Sequence, residues 1–409
     1  MRWIVALAAA SVTGCASIGA PPGGPPRTTP PAIVGVTPDS GAVNVLARSV
    51  VFTFDVVVSD RGPGGDLDNL FLLSPDDGRP RIRWRRERIE VRPRRGLRAN
   101  TAYSVTLLPG LSDLRGNTMR TGRTIVFSTG PRIPPYSVFG RVFDWLSERT
   151  APRALVEVIR RPDSLRFVGA ADSSGQFGVG PVDVGQYTVR AFLDNNNNRG
   201  LDPGEPWDSA AITVGGGASP FVELLAIPRD TAPPRLLTVT VRDSVSMTTA
   251  FDKALNPEVR LGPESFRIVS SDSAPLRVVR VLTRIQLDSL QKAAEDSAAR
   301  ARADSAARTD TARARVDSAR PTSAPRDTTR LGGPVVAPPP KPSRPPPPRD
   351  LVVKVDPLTP FVPGKAYRVT VKDVRGLLGP ARATERVIIL PRARPDSARA
   401  PARVPPRPP

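Results

Sequence analysis

From Ala32 onward, apolar and polar residues alternate in short runs, each broken by Gly, Pro, Asp or Asn. A side-chain period of two belongs to strands with one wet face, so the pattern predicts short β-strands joined by tight turns. VVFTFDVVV (50–58) reads as one strand. In RIRWRRERIEVRP (81–93), Ile82 and Trp84 share a face, Ile89 and Val91 share a face, and the arginine-rich residues between them read as a hairpin connection. Trp84 is expected in the core, with the flanking arginines in solvent. TAYSVTLLPGLSDLRGNTM runs from a strand into a polar turn at Asp113–Asn117, and TIVFST closes the unit.

The pattern returns further along. DTAPPRLLTVTVRDS, MTTAFDKALNP and SFRIVSSDSAPL repeat the opening half of the first unit, and LTPFVPGKAYRVTVKDVRGLLG with RVIIL repeats the closing half. Pro363-Gly364-Lys365-Ala366-Tyr367 stands where Asn100-Thr101-Ala102-Tyr103 stood, and Asp373…Gly376 is expected to answer Asp113…Gly116. Residues 284–349 split this second copy. Their first half, rich in Ala, Arg, Asp and Glu, suits a solvated helix without a docking stripe, and the following GGPVVAPPPKPSRPPPPRD suits extended polyproline. Residues 136–228 have a different rhythm, marked by Asp172-Ser173-Ser174-Gly175-Gln176-Phe177 and Gly185-Gln186-Tyr187-Thr188-Val189. Asp and Gly there make a tight hairpin, and Phe177 fills the core.

These segments resemble known families. Residues 32–131 look like the bacterial Ig-like domain of S-layer-associated and cell-surface proteins, through Asn100–Tyr103 and Asp113–Asn117. Residues 229–390, interrupted at 284–349, look like a second copy. Residues 136–228 resemble the carboxypeptidase-regulatory-like, transthyretin-like sandwich. The resemblances imply an all-β chain of tandem β-sandwich modules, with a disordered or helical low-complexity insertion and tail, and they imply structural or adhesive roles without catalytic residues.

The N-terminus reads as an address. MRWIVALAAASVTGCAS has a basic Arg2, an apolar run too short to span a bilayer, and then Val12-Thr13-Gly14-Cys15. Those four residues resemble the bacterial lipobox, which implies a signal peptide over 1–14, lipidation at Cys15 and attachment to a membrane through the N-terminal lipid. Ala16 favours outer-membrane sorting. Residues 15–31 read as a Pro/Gly tether, and 391–409 are expected to form a disordered basic tail.

Composition narrows the chemistry. The 409 residues contain one cysteine and no histidine, which removes a disulfide framework, thiolate metal sites, and any Ser-His-Asp arrangement. Proline is abundant at 49, and aromatics are only 5%. The net charge of +20 is carried almost wholly by arginine, which points to a GC-rich genome more than to an anionic partner. Nucleic acid is therefore not expected as a partner, whereas the tail could cling to anionic envelope glycans. No catalytic residue is expected.

DNNNNRGLDPGEP (194–206) is the candidate site. Counted as a twelve-residue loop, Asp194, Asn196, Asn198, Gly200, Asp202 and Glu205 fall at positions 1, 3, 5, 7, 9 and 12, from which calcium loops offer oxygens. The stretch also resembles the D-x-N-x-N-G-x-x-D-x-G-E calcium repeats of bacterial surface proteins. Such a ligand set implies weak Ca²⁺ binding, of the ~10⁻⁴–10⁻³ M class. Against it stands Arg199, at the position where the turn wants glycine. The expected function is a non-catalytic envelope lipoprotein that presents binding modules; the alternative is a glycan-binding or adhesion protein of the cell surface.

Overall fold

A computed structural model describes residues 28–62, 65–217, 219–313 and 340–392. The predicted signal peptide, Cys15, nearly all of the tether, residues 314–339 of the insertion and nearly all of the basic tail lie outside the described residues. The chain divides into two compact units with the boundary between Ile133 and Pro134. It is mostly β, as the alternation predicts, and it is built of tandem β-sandwiches. Among the described residues, no helix is long and apolar enough to cross a membrane.

In the first unit, a four-stranded sheet runs in the order Ile33–Thr37, Val50–Phe54, Arg88–Arg92, Arg81–Arg85. It faces a three-stranded sheet of Phe71–Ser74, Ala102–Leu107 and Arg123–Ser128. Alternation sets the core: Val50, Phe52, Phe54, Ile89 and Val91 are buried, while Val51, Thr53 and Arg88 point outward. Phe52 and Phe71 meet across the sheets with centroids 5.4 Å apart. Each such fully buried side chain contributes roughly 1.5–3 kcal/mol. Trp84 differs from expectation. It lies on an edge strand and remains 39% exposed, with its indole N–H donating to the Val58 carbonyl. The hairpin after it turns at Arg86 and Glu87, because Arg85 pairs with Arg88; Arg86 takes a left-handed φ of 56°.

The second unit holds two sandwiches. In the middle one, a sheet ordered Arg166–Ala170, Leu155–Arg160, Gly185–Phe192, Trp207–Val214 packs on a sheet centred on Tyr136–Asp144. Tyr136–Asp144 pairs antiparallel with Gln176–Val182 and, on its other edge, parallel with Phe221–Ala226. Gly140 permits this: a Cβ there would lie 2.1 Å from the Val222 carbonyl oxygen and 2.5 Å from the Phe177 ring. The Asp172 turn forms as its sequence implies. Oδ1 of Asp172 accepts from Ser174 N and Gln176 N, Gly175 takes φ +74°, and Phe177 is buried.

In the last sandwich, Leu236–Asp243, Ser246–Phe251, Asp350–Val355 and Val278–Thr283 form one sheet. Phe266–Ser270, Ala366–Val374 and Arg382–Ile389, with the short Pro275–Leu276, form the other. The insertion leaves from a hairpin tip, since Thr283 and Leu351 are paired neighbours. The helix Arg284–Arg313 starts there under a reciprocal cap, in which Gln286 N donates to Thr283 Oγ1 and Thr283 N donates to Gln286 Oε1.

A buried tyrosine whose hydroxyl accepts a backbone hydrogen bond marks both the first and the last sandwich. Arg98 N donates to the Tyr103 hydroxyl at 2.6 Å, and Val362 N donates to the Tyr367 hydroxyl at 2.7 Å. The repeat corrects one sequence correspondence. The isolated bridge between Val58 and Asp113 is matched by one between Leu255 and Gly376, and Gly116 (φ +87°) is matched by Gly379 (φ +89°). Gly376 therefore answers Asp113, and Asp373 does not. Asp113 holds its turn by accepting from Arg115 N, Asn117 N and Asn117 Nδ2; RGLLG (375–379) replaces that carboxylate with a glycine.

The middle and last sandwiches touch through a small apolar cluster of Phe143, Trp145 and Leu225, against which Ile227 and Leu377 pack. The polyproline segment returning from the insertion crosses this junction. The Trp145 indole N–H donates to the Pro345 carbonyl at 3.1 Å, and Ser343 N and Oγ donate to the Glu223 carboxylate. Beyond the crossing, Leu255 N donates to Pro348 O and Phe251 N to Arg349 O. In the linker, the Arg229 guanidinium lies 3.7 Å from the centroid of the Trp207 ring, a cation–π contact.

Candidate functional site

The 194–205 loop joins Gly185–Phe192 to Trp207–Val214, a ladder closed by the Phe192–Trp207 pair and by Leu193 N donating to Pro206 O. Two adjacent strands thus fix the ends of the loop, and its interior is set by short side chains bonding to local backbone. Asp194 accepts from Asn198 N at 3.1 Å through Oδ1 and from Arg199 N at 2.9 Å through Oδ2. Asn196 Oδ1 accepts from Asn198 N, and Asn198 Oδ1 from Gly200 N at 2.7 Å. The chain therefore winds with positions 1, 3 and 5 turned inward. Arg199 fits this winding: it takes φ +62°, the left-handed region in which a calcium loop has its glycine, with Asn197 at +58°.

The carboxylates divide into two groups. Asp202 meets Asn196 and Asn198, whose amide nitrogens donate to its Oδ2 at 2.5 and 2.8 Å. Glu205 is buried, and its two oxygens accept from Asn195 N at 2.8 Å and Asp202 N at 3.2 Å. Among the described residues, no group of three or more carboxylates, thiolates or imidazoles could hold a metal ion. The loop thus joins Asn196, Asn198 and Asp202 at one point and keeps Asp194 and Glu205 at work on the backbone. The turn and the hard oxygen donors suit Ca²⁺. Seating it would require the two amides to exchange nitrogen for oxygen facing Asp202, giving up the backbone hydrogen bonds those oxygens accept. That exchange opposes binding.

Other buried acids are likewise committed to structure. Glu157 is held by Arg166 at 3.2 Å and by Arg190, both on neighbouring strands. The exposed Asp163 pairs with Arg160, whose hydrogen bond is the main cause holding its carboxyl below the ordinary range. Sequence reading missed the junction at Trp145, because nothing in FDWLSE says that its indole will meet a carbonyl two hundred residues away.

Residues 27–129 match the family of the bacterial Ig-like domain. No curated protein matches the chain. Among solved structures, an L,D-transpeptidase from Mycobacterium smegmatis is similar at 18% identity over 40% of this chain and 76% of that one, with a TM-score of 0.19. The surface layer protein SbsC, domains 1–6, is similar at 12% identity over 89% of this chain, with a TM-score of 0.19. The chain covers 41% of that SbsC structure. Domains FN1–FN3 of chicken CNTN1 are similar at 10% identity over 89% of this chain and 99% of that one, with a TM-score of 0.17.

Proposed function

We propose that the chain is a non-catalytic lipoprotein of the bacterial cell envelope, anchored through Cys15 in the outer membrane and presenting β-sandwich modules as a structural and binding scaffold. The observation that carries this reading is the use made of the buried acids. Asp113 and Glu205 hold turns, and Glu157 ties three strands through two arginines. A hydrolytic site needs carboxylates converging on a cleft; these are each engaged with backbone or with a cation. The middle module is read as transthyretin-like, and the 229–390 module as a second Ig-like domain. Radiolabelled palmitate should enter the wild type and leave Cys15→Ala unlabelled, with only the wild type in the membrane fraction. Label persisting on Cys15→Ala would overturn the anchor.

The 194–205 loop is proposed as a weak Ca²⁺ site formed by Asp194, Asn196, Asn198, Gly200, Asp202 and Glu205. A ligand that binds only the folded state raises the melting midpoint. Millimolar Ca²⁺ should raise the midpoint of the second unit over that in chelator, and Asp202→Ala should remove the difference. Identical wild-type midpoints would rule the site out.

A further inference from the structure

We propose that the outward face of the Arg81–Arg92 hairpin is a docking surface for the phosphate-bearing face of an anionic phospholipid membrane. In the strands Arg81–Arg85 and Arg88–Arg92, alternate residues share a face. Arg81, Arg83, Arg85, Arg88 and Arg92 are all exposed on the face opposite the core residues Ile89 and Val91. Register sets like charges against each other: Arg81 faces Arg92 and Arg85 faces Arg88, while Arg83 alone faces a carboxylate, Glu90. Side chains directly opposite on adjacent strands lie only ~5 Å apart at Cβ, and like charges so placed destabilise a sheet. Glu90 is itself taken by Ser49 Oγ and by Arg92, each at 2.7 Å. The hairpin therefore maintains a self-repelling cationic surface, which an anionic counter-surface would relieve.

The shape of the patch selects among anions. Along one strand, Arg81 to Arg85 spans about 13 Å at ~3.3 Å per residue, and the arginines stand exposed on the outward sheet face. The nearby ring, Trp84, belongs to the other face, where its indole N–H is bound to Val58 O. Glycan chains are gripped by stacked aromatics, and the hairpin's one ring is turned away from this face. A flat array of phosphates matches it, and guanidinium groups bind phosphate bidentately. With Arg92 paired to Glu90, the remaining four arginines still fall within the range of basic clusters that bind anionic headgroups. This rests on the lipid-anchor reading only in that the anchor brings a membrane within reach of the first module.

The test uses the full mature chain carrying Cys15→Ala, so that no acyl chain contributes. Co-sedimentation with vesicles of phosphatidylglycerol and phosphatidylcholine in equal parts is compared with phosphatidylcholine alone. Each basic side chain near an anionic surface is worth about five-fold in partitioning. Changing Arg81, Arg83, Arg85 and Arg88 together to Gln should therefore weaken binding by several hundred-fold, and salt should weaken wild-type binding. The control changes the exposed Arg267, Arg280, Arg368 and Arg386 to Gln, lowering the net charge equally, and should retain most of the binding. The single reversal Arg83→Glu should weaken binding more than Arg83→Gln. Removing self-repulsion should leave the melting midpoint of the first unit unchanged or raised, which separates lost binding from lost fold. Equal losses in the patch and control variants would assign binding to net charge and overturn the proposal. So would equal wild-type binding to phosphatidylcholine, or patch-dependent retention on isolated sacculi in place of vesicles. Failure here leaves the palmitate experiment untouched.

Discussion

Replacing Tyr103 by Phe removes one oxygen and tests whether the first and last sandwiches share a structural keystone. The hydroxyl accepts from Arg98 N at 2.6 Å, and the ring is buried against Phe127 with centroids 5.7 Å apart. Packing survives the change, so the loss is that of an acceptor. A backbone N–H left without a partner costs about 1–3 kcal/mol, and the edge position of this one favours the lower half of that range. In a module of about 100 residues, each kcal/mol moves the midpoint by roughly 4–8 °C, so Tyr103→Phe should lower the transition of the first unit by about 4–16 °C. Tyr367→Phe removes the same kind of acceptor from Val362 N. It acts within the larger second unit, where each kcal/mol is worth about 2–4 °C. Tyr187 is the internal contrast. Its hydroxyl donates to the Asp183 carbonyl, and an under-satisfied carbonyl is tolerated better than an orphaned N–H. Tyr187→Phe should therefore cost less than Tyr367→Phe in the same unit. Scanning calorimetry of the three variants reads these shifts directly. A Tyr103→Phe shift below about 1 °C, or a Tyr187→Phe shift exceeding that of Tyr367→Phe, would refute the reasoning.

Three further outcomes follow from local geometry. Lys365 first, and then Ser270, hold the Asp272 carboxyl down from 3.8 to about 2. Because the folded value is the depressed one, its stabilising effect is present above 3.8 and is lost as pH falls through about 2. An NMR titration of that carboxyl should show the low midpoint, with Lys365→Met moving it upward; a wild-type midpoint near 3.8 would contradict the pairing. Trp145→Phe keeps the apolar cluster but removes the donor to Pro345 O, so the Ser343 amide should exchange with deuterium faster; unchanged protection would show that the strap holds without it. Gly140→Ala forces a methyl against the Val222 carbonyl and the Phe177 ring, and should destabilise the second unit by about 3 kcal/mol in urea melts. Wild-type stability in that variant would mean that the parallel pairing is looser than drawn.

Period-two alternation made the strands legible, and short turn signatures such as Asp172…Gly175 made individual hairpins legible, because both are local. Pairing partners are not local. Nothing in RIRWR says that it is an edge strand, and Trp84 reads as core only when a further neighbour is assumed. The correspondence between Asp113 and Asp373 failed for a related reason. Matching residue types favoured the acid, while the backbone required equivalence between Gly116 and Gly379, whose shared positive φ is visible only in three dimensions. In the candidate loop, the spacing disclosed which side chains turn inward. It did not disclose that Arg199 would accept a left-handed φ, or that Asp202 would be held by two amide nitrogens.

The parallel pairing of Tyr136–Asp144 with Phe221–Ala226 gives the middle sandwich a polarity. Its first and last strands run side by side in the same direction, from the Phe139–Phe221 pair to the Asp144–Ala226 pair. The chain therefore enters at one end of the module and leaves at the other. At ~3.3 Å per residue, the nine residues of the first strand carry it forward by about 26 Å. An antiparallel closing strand would have returned it to the end at which it came in. Excising such a module shortens the polypeptide's path without reversing its heading, and duplicating it lengthens that path in equal steps. The apolar contact of Trp145 and Leu225 with Leu377 is the surface that any such change of length would have to remake.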